Sequence, residues 1–237
     1  MGARKVIKLR RSEERGHINL GWLESYHTFS FARYRDPTQM GFRELRVINQ
    51  DRVQPGNGFP MHTHQDMEIV SYVLEGSLEH QDSTGARSVI GPGEVQVMTA
   101  GTGIAHSEYN PSPTESVHFL QIWIVPDQDG LAPRFGHRAF SPEERQGKLC
   151  PLVSPDGRDG TLTIHQDASI YTSLLDAGQQ VSYPVAPGRH LWVHVAQGSA
   201  LLNEQLLADG DGAAVSDEET IVLAGQSPAE VVLFDLA

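Results

Sequence analysis

Short extended runs, punctuated at near-regular intervals by turn residues, constrain this chain most. Between Gly41 and Val125, apolar-rich runs occupy residues 45–48, 70–74, 94–98 and 117–125. Turn residues separate them at Pro55-Gly56, Glu75-Gly76, Gly91-Pro92-Gly93 and Asn110-Pro111. A spacing of roughly 8–12 residues is that of an antiparallel sandwich or barrel. The 23 glycines and 14 prolines of the 237 residues supply the punctuation. Helices of ordinary length have no room in such a pattern.

A break follows. Residues 126–130 and 133–136 read as a linker, rich in proline, glycine and aspartate. Ser141-Pro142-Glu143-Glu144 then reads as a short helix start, with Ser141 as N-cap, Pro142 at the first helical position and Glu144 closing a capping box. Strand-like runs resume at 162–165, 191–195, 213–215, 220–223 and 230–234. The second set echoes the first. Tyr72-Val-Leu-Glu-Gly76 matches His194-Val-Ala-Gln-Gly198, and Gly91-Pro-Gly-Glu94 matches Asp209-Gly-Asp-Gly212. Phe119-Leu-Gln-Ile-Trp123 matches Val232-Leu-Phe-Asp-Leu236. A common offset of about 110–120 residues points to duplication of one barrel. The expected fold is all-β, with one barrel over residues 1–130 and a second over 131–237.

Composition excludes several functions. The net charge of −12 argues against a nucleic-acid surface, which needs clustered lysine and arginine. The one basic cluster, Lys8-Leu9-Arg10-Arg11, reads as a solvated strand edge. Cys150 is the single cysteine, so no intrachain disulfide forms, and a reducing compartment is expected. Neither a signal peptide nor an apolar run long enough to span a membrane is visible. Val6 breaks the myristoylation pattern that Met1-Gly2 would begin, and Pro111 bars glycosylation at Asn110. The expectation is a cytoplasmic protein that binds neither membrane nor nucleic acid.

The chemistry concentrates in two matched pairs. His62 and His64 are separated by one residue, as are His106 and Glu108. On a strand, residues i and i+2 face the same way. Two facing strands can thus converge three imidazoles and one carboxylate on a single ion. That donor set suits a divalent transition metal with open positions for chemistry: zinc, iron, nickel, copper, manganese or cobalt. Burying these groups in a barrel without an ion would cost several kcal/mol. The second half has no equivalent pair before Gly198 or after Gly212, so the metal is expected in the first barrel alone.

Other candidates rank lower. Glu68 could replace Glu108 as a ligand. His190 and His194 share a strand face but lack a carboxylate in register. His17, His27, His80, His118, His137 and His165 read as surface or packing residues. Gly101-Thr-Gly103 does not form a nucleotide-binding loop, and Asp209-Gly-Asp-Gly212 is too acidic to cradle phosphate. No Gly-x-Ser-x-Gly elbow is present, and Cys150 has no nucleophile signature around it.

Gly56-x5-His62-x-His64-x3-Glu68-x7-Gly76 resembles the first cupin motif, with Glu68 one place early, and Gly103-x2-His106-x3-Asn110 resembles the end of the second. More specifically, Gly21-Trp-Leu-Glu-Ser-Tyr-His-Thr-Phe-Ser-Phe31, Arg46-Val-Ile-Asn49, His62-Thr-His-Gln-Asp-Met-Glu68, Tyr72-Val-Leu-Glu-Gly76, His80-Gln-Asp-Ser83 and Gly101-Thr-Gly-Ile-Ala-His-Ser-Glu-Tyr-Asn110 resemble the pirin family. Its bacterial members described as quercetin 2,3-dioxygenases are the most similar. The resemblance runs over nearly the whole chain and is densest over residues 16–125.

The resemblance implies a bicupin of two face-to-face β-barrels, with a metal only in the N-terminal one. Its ligands fall on His62, His64, His106 and Glu108, with iron(II) as the usual ion, and Glu68 is demoted. It implies a dioxygenase that opens the central ring of a quercetin-like flavonol with O2 and releases carbon monoxide. An enolic hydroxyl would bind the ion once deprotonated, and Glu108 is expected to act as ligand and general base. Phe59, Met61 and Met98 are expected at the mouth. A second implication is a metal- and redox-responsive regulator of a transcription factor or metabolic enzyme. A third is a plain cupin scaffold for another enolic or carboxylate ligand.

Overall fold

In the computed structural model, which describes residues 6–237, the chain forms two compact units. One comprises residues 16–140 with 162–166, and the other takes 141–161 and 167–237 together with the described residues up to 15. Both are built from antiparallel strands, and the one α-helix among the described residues is Pro142–Arg145. No helix among them is long and apolar enough to cross a membrane.

The N-terminal unit has two sheets. The larger is seven-stranded, in the order Arg134–Ala139, Glu94–Thr99, Glu68–Glu75, Val117–Ile124, Leu45–Val53, Leu23–His27, Gly16–Asn19. The smaller is four-stranded, in the order Gly58–His64, Ile104–Tyr109, Leu78–Asp82, Arg87–Ile90. Alternation of side chains along each strand sets which residues face inward. At one end, Leu23, Val53, Val73, Val117 and Phe119 of the larger sheet pack on Leu78 and Ile90 of the smaller one.

One register step up the strands, the inward row turns polar. Gln96 pairs with Ser71, Ser71 with Gln121, Gln121 with Asn49, and Asn49 with His27. A polar row therefore crosses five adjacent strands of one sheet. Such a row is costly in an apolar core unless its groups are partnered or face a ligand. In the core of the C-terminal unit, Leu175, Leu191, Val193, Val195, Leu207, Val231 and Leu233 pack together.

The short helix forms as the capping box predicts. Ser141 Oγ accepts from Glu144 N at 3.3 Å, and Ser141 N donates to Glu144 Oε2 at 2.7 Å. Three expectations need correction. Residues 133–136 are not linker, because Arg134–Ala139 is a strand paired with Glu94–Thr99. Its composition hides this, since an edge strand buries little. The first barrel does not take the described residues before Gly16: Val6–Arg10 pairs with Gly212–Ser216 in the C-terminal unit, and the division between the units also differs from a boundary at 130. The basic cluster on that strand is not simply solvated. Arg11 donates to Asp211 Oδ2 at 2.7 Å and to the Leu206 carbonyl at 2.8 Å, and Arg10 is buried.

Candidate metal centre

Gly58–His64 and Ile104–Tyr109 lie side by side, with His62 directly opposite His106 and His64 opposite Ile104. A β-bulge interrupts the ladder between His106 and Glu108, so Glu108 pairs with Phe59. Bulges re-aim side chains in this way. Here the extra residue lies between Phe59 and His62, while His106 and Glu108 stay on one face opposite Asp82 and His80.

The result is two overlapping clusters. Ligating atoms of His62, His64 and His106 lie within 4.8 Å of one another, as do those of His80, His106 and Glu108. His106 belongs to both, and Glu108 falls in the second. His62 Nε2 and His106 Nε2 are 3.1 Å apart. The tautomers follow from the hydrogen-bond network. His62 Nδ1 lies 2.8 Å from the Pro60 carbonyl, an acceptor only, so Nδ1 carries the proton and Nε2 the lone pair. His80 Nε2 donates to Asp82 Oδ2 at 2.9 Å. Although burial opposes it, bonds from His80 and Thr84 hold the Asp82 carboxyl below its ordinary range. A neutral His80 that donates from Nε2 accepts at Nδ1, which stands 3.5 Å from His106 Nδ1. That leaves the lone pair of His106 on Nε2.

Burial, reinforced by His62, pushes the His64 imidazole down to about 4. Burial and the neighbouring histidines depress His106 as well. In these tautomers the two lone pairs face each other at 3.1 Å and repel unless a cation lies between them. Two imidazole nitrogens bound at right angles to one ion, at about 2.1 Å each, stand about 3 Å apart. The trio fits a divalent metal.

Glu108 is buried and gripped. Its Oε1 accepts from Ser71 Oγ at 2.9 Å and Gln96 Nε2 at 2.7 Å, and its Oε2 accepts from Gln121 Nε2 at 2.6 Å. Burial raises its proton affinity, and the bond from Ser71 opposes that rise. Three members of the polar row thus converge on this carboxylate.

His62, His64 and Glu108 line one cavity of about 680 Å³. Its walls are largely apolar, from Leu20, Trp22, Leu23, Phe31, Phe59 and Trp123. Ser25, Asn49 and Asp51 form a polar part of its lining. Burial pushes Asp51 up to about 7, against a bond from Ser25.

The remaining expectations divide. Phe59 lines the cavity, but Met98 is in the core with Ile69, Ala100 and Ile104, and Met61 is exposed. Met61 points away because it neighbours the inward His62, whereas Met98 shares the inward face with Gln96 and packs beyond the polar row. Glu68 accepts from Thr99 and His165, and joins neither metal-ligand cluster. His190 meets Ser216, and neither it nor His194 joins a cluster of three among the described residues. His80 is no mere packing residue, since it anchors the second cluster and stacks on Phe135 with ring centroids 4.3 Å apart. His27 and His17 line the cavity. Sequence spacing offered one signal for His80: it and Asp82 repeat the i, i+2 pattern of the other pairs.

Residues 8–124 match the family model for pirin, and residues 151–236 match that for the quercetinase C-terminal cupin domain. A quercetin 2,3-dioxygenase of Escherichia coli K12 is 50% identical over 231 residues, covering 98% of this chain and 99% of the relative. The chain belongs to the pirin family. The crystal structure of YhhW from Escherichia coli matches this pirin with a TM-score of 0.94 at 48% identity, covering 98% of both chains. A crystal structure of the bacterial pirin YhhW in complex with nickel(II) matches with a TM-score of 0.92 at 48% identity, covering 98% and 99%. The pirin described here is accordingly a two-domain cupin protein.

Proposed function

We propose that this pirin is a metal-dependent dioxygenase that opens the central ring of a quercetin-like flavonol with O2 and releases carbon monoxide. One observation carries the reading: His62, His64 and His106 bring ligating nitrogens within 4.8 Å of one another, and His62 and His64 open onto an aromatic-walled cavity. The name of its half-identical relative supports the reaction class, and the nickel complex of YhhW supports a divalent ion.

His62, His64 and His106 would hold the ion, with Glu108 as the fourth ligand on the same cavity wall. Iron(II) is the first candidate and nickel the second. A bound transition ion would supply a Lewis-acidic, redox-active centre for O2 chemistry.

The protein's own groups do the rest. Trp22, Phe31, Phe59 and Trp123 enclose a planar ligand and exclude water. An enolic hydroxyl beside a carbonyl reaches Glu108, whose raised proton affinity lets it take that proton. Gln96, Ser71 and Gln121 keep the carboxylate in place while it does so. The single cysteine supports a reducing compartment such as the cytoplasm.

The test is quercetin turnover by iron- and nickel-loaded protein, following O2 uptake and carbon monoxide together. One carbon monoxide per O2 consumed is expected, with no turnover under anaerobic conditions. Full anaerobic turnover, or O2 uptake without carbon monoxide, would refute the ring-opening reaction.

A further inference from the structure

The polar row that crosses the larger sheet has two ends with different occupations. At one end Gln96, Ser71 and Gln121 are engaged by Glu108. Toward the other end, beside His27, stands Asn49, which is 3% exposed and whose Oδ1 has no protein partner. Asp51 occupies the next inward position along that strand and is 4% exposed. Ser25 Oγ donates to Asp51 Oδ1, and no protein donor is found for Oδ2 among the described residues.

Asn49 and Asp51 both line the cavity that His62 and His64 enter. A buried amide oxygen with unfilled hydrogen-bonding capacity opposes folding. Such groups persist where a ligand fills that capacity. The cavity therefore has two polar poles, one at the histidines and one at Ser25, Asn49 and Asp51. Aromatic and aliphatic walls from Trp22, Leu23 and Phe59 complete it. Its volume of about 680 Å³ suits a drug-sized molecule.

We propose that Asp51, braced by Ser25 and flanked by Asn49, is a specificity-determining residue that recognises a phenolic hydroxyl of a planar polyhydroxylated aromatic ligand, on a ring remote from the group held at the histidines. This rests on the dioxygenase reading above. Asp51 Oδ2 accepts the phenolic O–H, and an adjacent hydroxyl of the same ring donates to Asn49 Oδ1. A ligand without those hydroxyls leaves both groups unpaired, and loses affinity for that reason.

The test compares quercetin with 3-hydroxyflavone, which keeps the enolic hydroxyl and lacks the others. Binding to metal-loaded protein is read without O2 by quenching of tryptophan fluorescence, since Trp22 and Trp123 line the cavity. Wild type is expected to prefer quercetin by about tenfold, the worth of one hydrogen bond to a charged group. Asp51→Ala should weaken quercetin by about tenfold and leave 3-hydroxyflavone within about twofold. Asp51→Asn keeps the volume and one acceptor oxygen, and should weaken quercetin by about threefold. Metal content and Tm of each variant show that the fold and the ion are retained.

Equal weakening of both ligands would make Asp51 merely structural and overturn the proposal. So would the absence of any preference in wild type, or an unchanged preference in both variants, and each leaves the dioxygenase reading standing. If neither flavonol binds wild type, both readings fall together.

Discussion

His62 Nε2 and His106 Nε2 face each other at 3.1 Å from directly opposed positions on adjacent strands. The Pro60 carbonyl fixes the tautomer of the first, and the Asp82–His80 pair that of the second. The arrangement is unfavourable for two neutral rings and favourable once a cation is shared. Replacing His106 by Ala should therefore lower bound metal from about one ion per chain to trace amounts. Elemental analysis after purification without chelators checks this, and a full complement of metal in the variant would contradict it.

Metal removal has a thermal signature. An ion that binds only the folded state stabilises it by about 2.7 kcal/mol when its concentration is a hundredfold above Kd. Tm should rise on titration with Ni2+ and fall on chelation, and neither change should occur in His106→Ala. A Tm indifferent to metal in wild type would count against the centre.

Gln121 donates to Glu108 Oε2 at 2.6 Å. Removing that donor frees the carboxylate to move and to protonate. Groups that orient a metal ligand typically contribute 10–100-fold in affinity, so Gln121→Ala should weaken metal binding by roughly that range while far-UV circular dichroism stays unchanged. An unaltered affinity would show that the polar row does not act on the metal through Glu108.

Asp51 confers a pH dependence of definite sign. Burial raises its folded-state pKa to about 7, from 3.8. Between these values the folded protein keeps a proton that the unfolded chain has lost, so stability falls as pH rises through this window. Asp51→Asn removes the effect. In metal-free protein the variant should gain on wild type from pH 4 to 7, by on the order of 4 kcal/mol if the whole shift is realised. Urea unfolding across that range measures the difference, and a gap that does not grow with pH contradicts the assignment.

The C-terminal unit offers a separate test. Arg145 Nη1 and Glu230 Oε1 are 2.8 Å apart, and both residues are buried. Arg145→Leu strands a buried carboxylate, and should cost about 3–5 kcal/mol in denaturant unfolding. A loss below about 1 kcal/mol would mean that water reaches Glu230.

Strand and turn chemistry are local, and so most of the secondary structure was legible before any coordinates. The capping box at Ser141 and Glu144 formed as its spacing requires. The strand at Arg134–Ala139 was missed because an edge strand carries little of the apolar signal that reveals a central one.

What the residues alone determined is the pairing of His62 with His64 and of His106 with Glu108, because a period of two is a property of any strand. Which donors meet is a tertiary matter. A bulge between Phe59 and His62 and the register of that strand against Ile104–Tyr109 gather three histidines, and the packing of the two sheets brings Glu108 to Gln96, Ser71 and Gln121. The polar row from Gln96 to His27, and the place of Asp51 beside it, draw on strands far apart in the chain. No local periodicity encodes such a row, because register between distant strands is set by packing of the whole sheet.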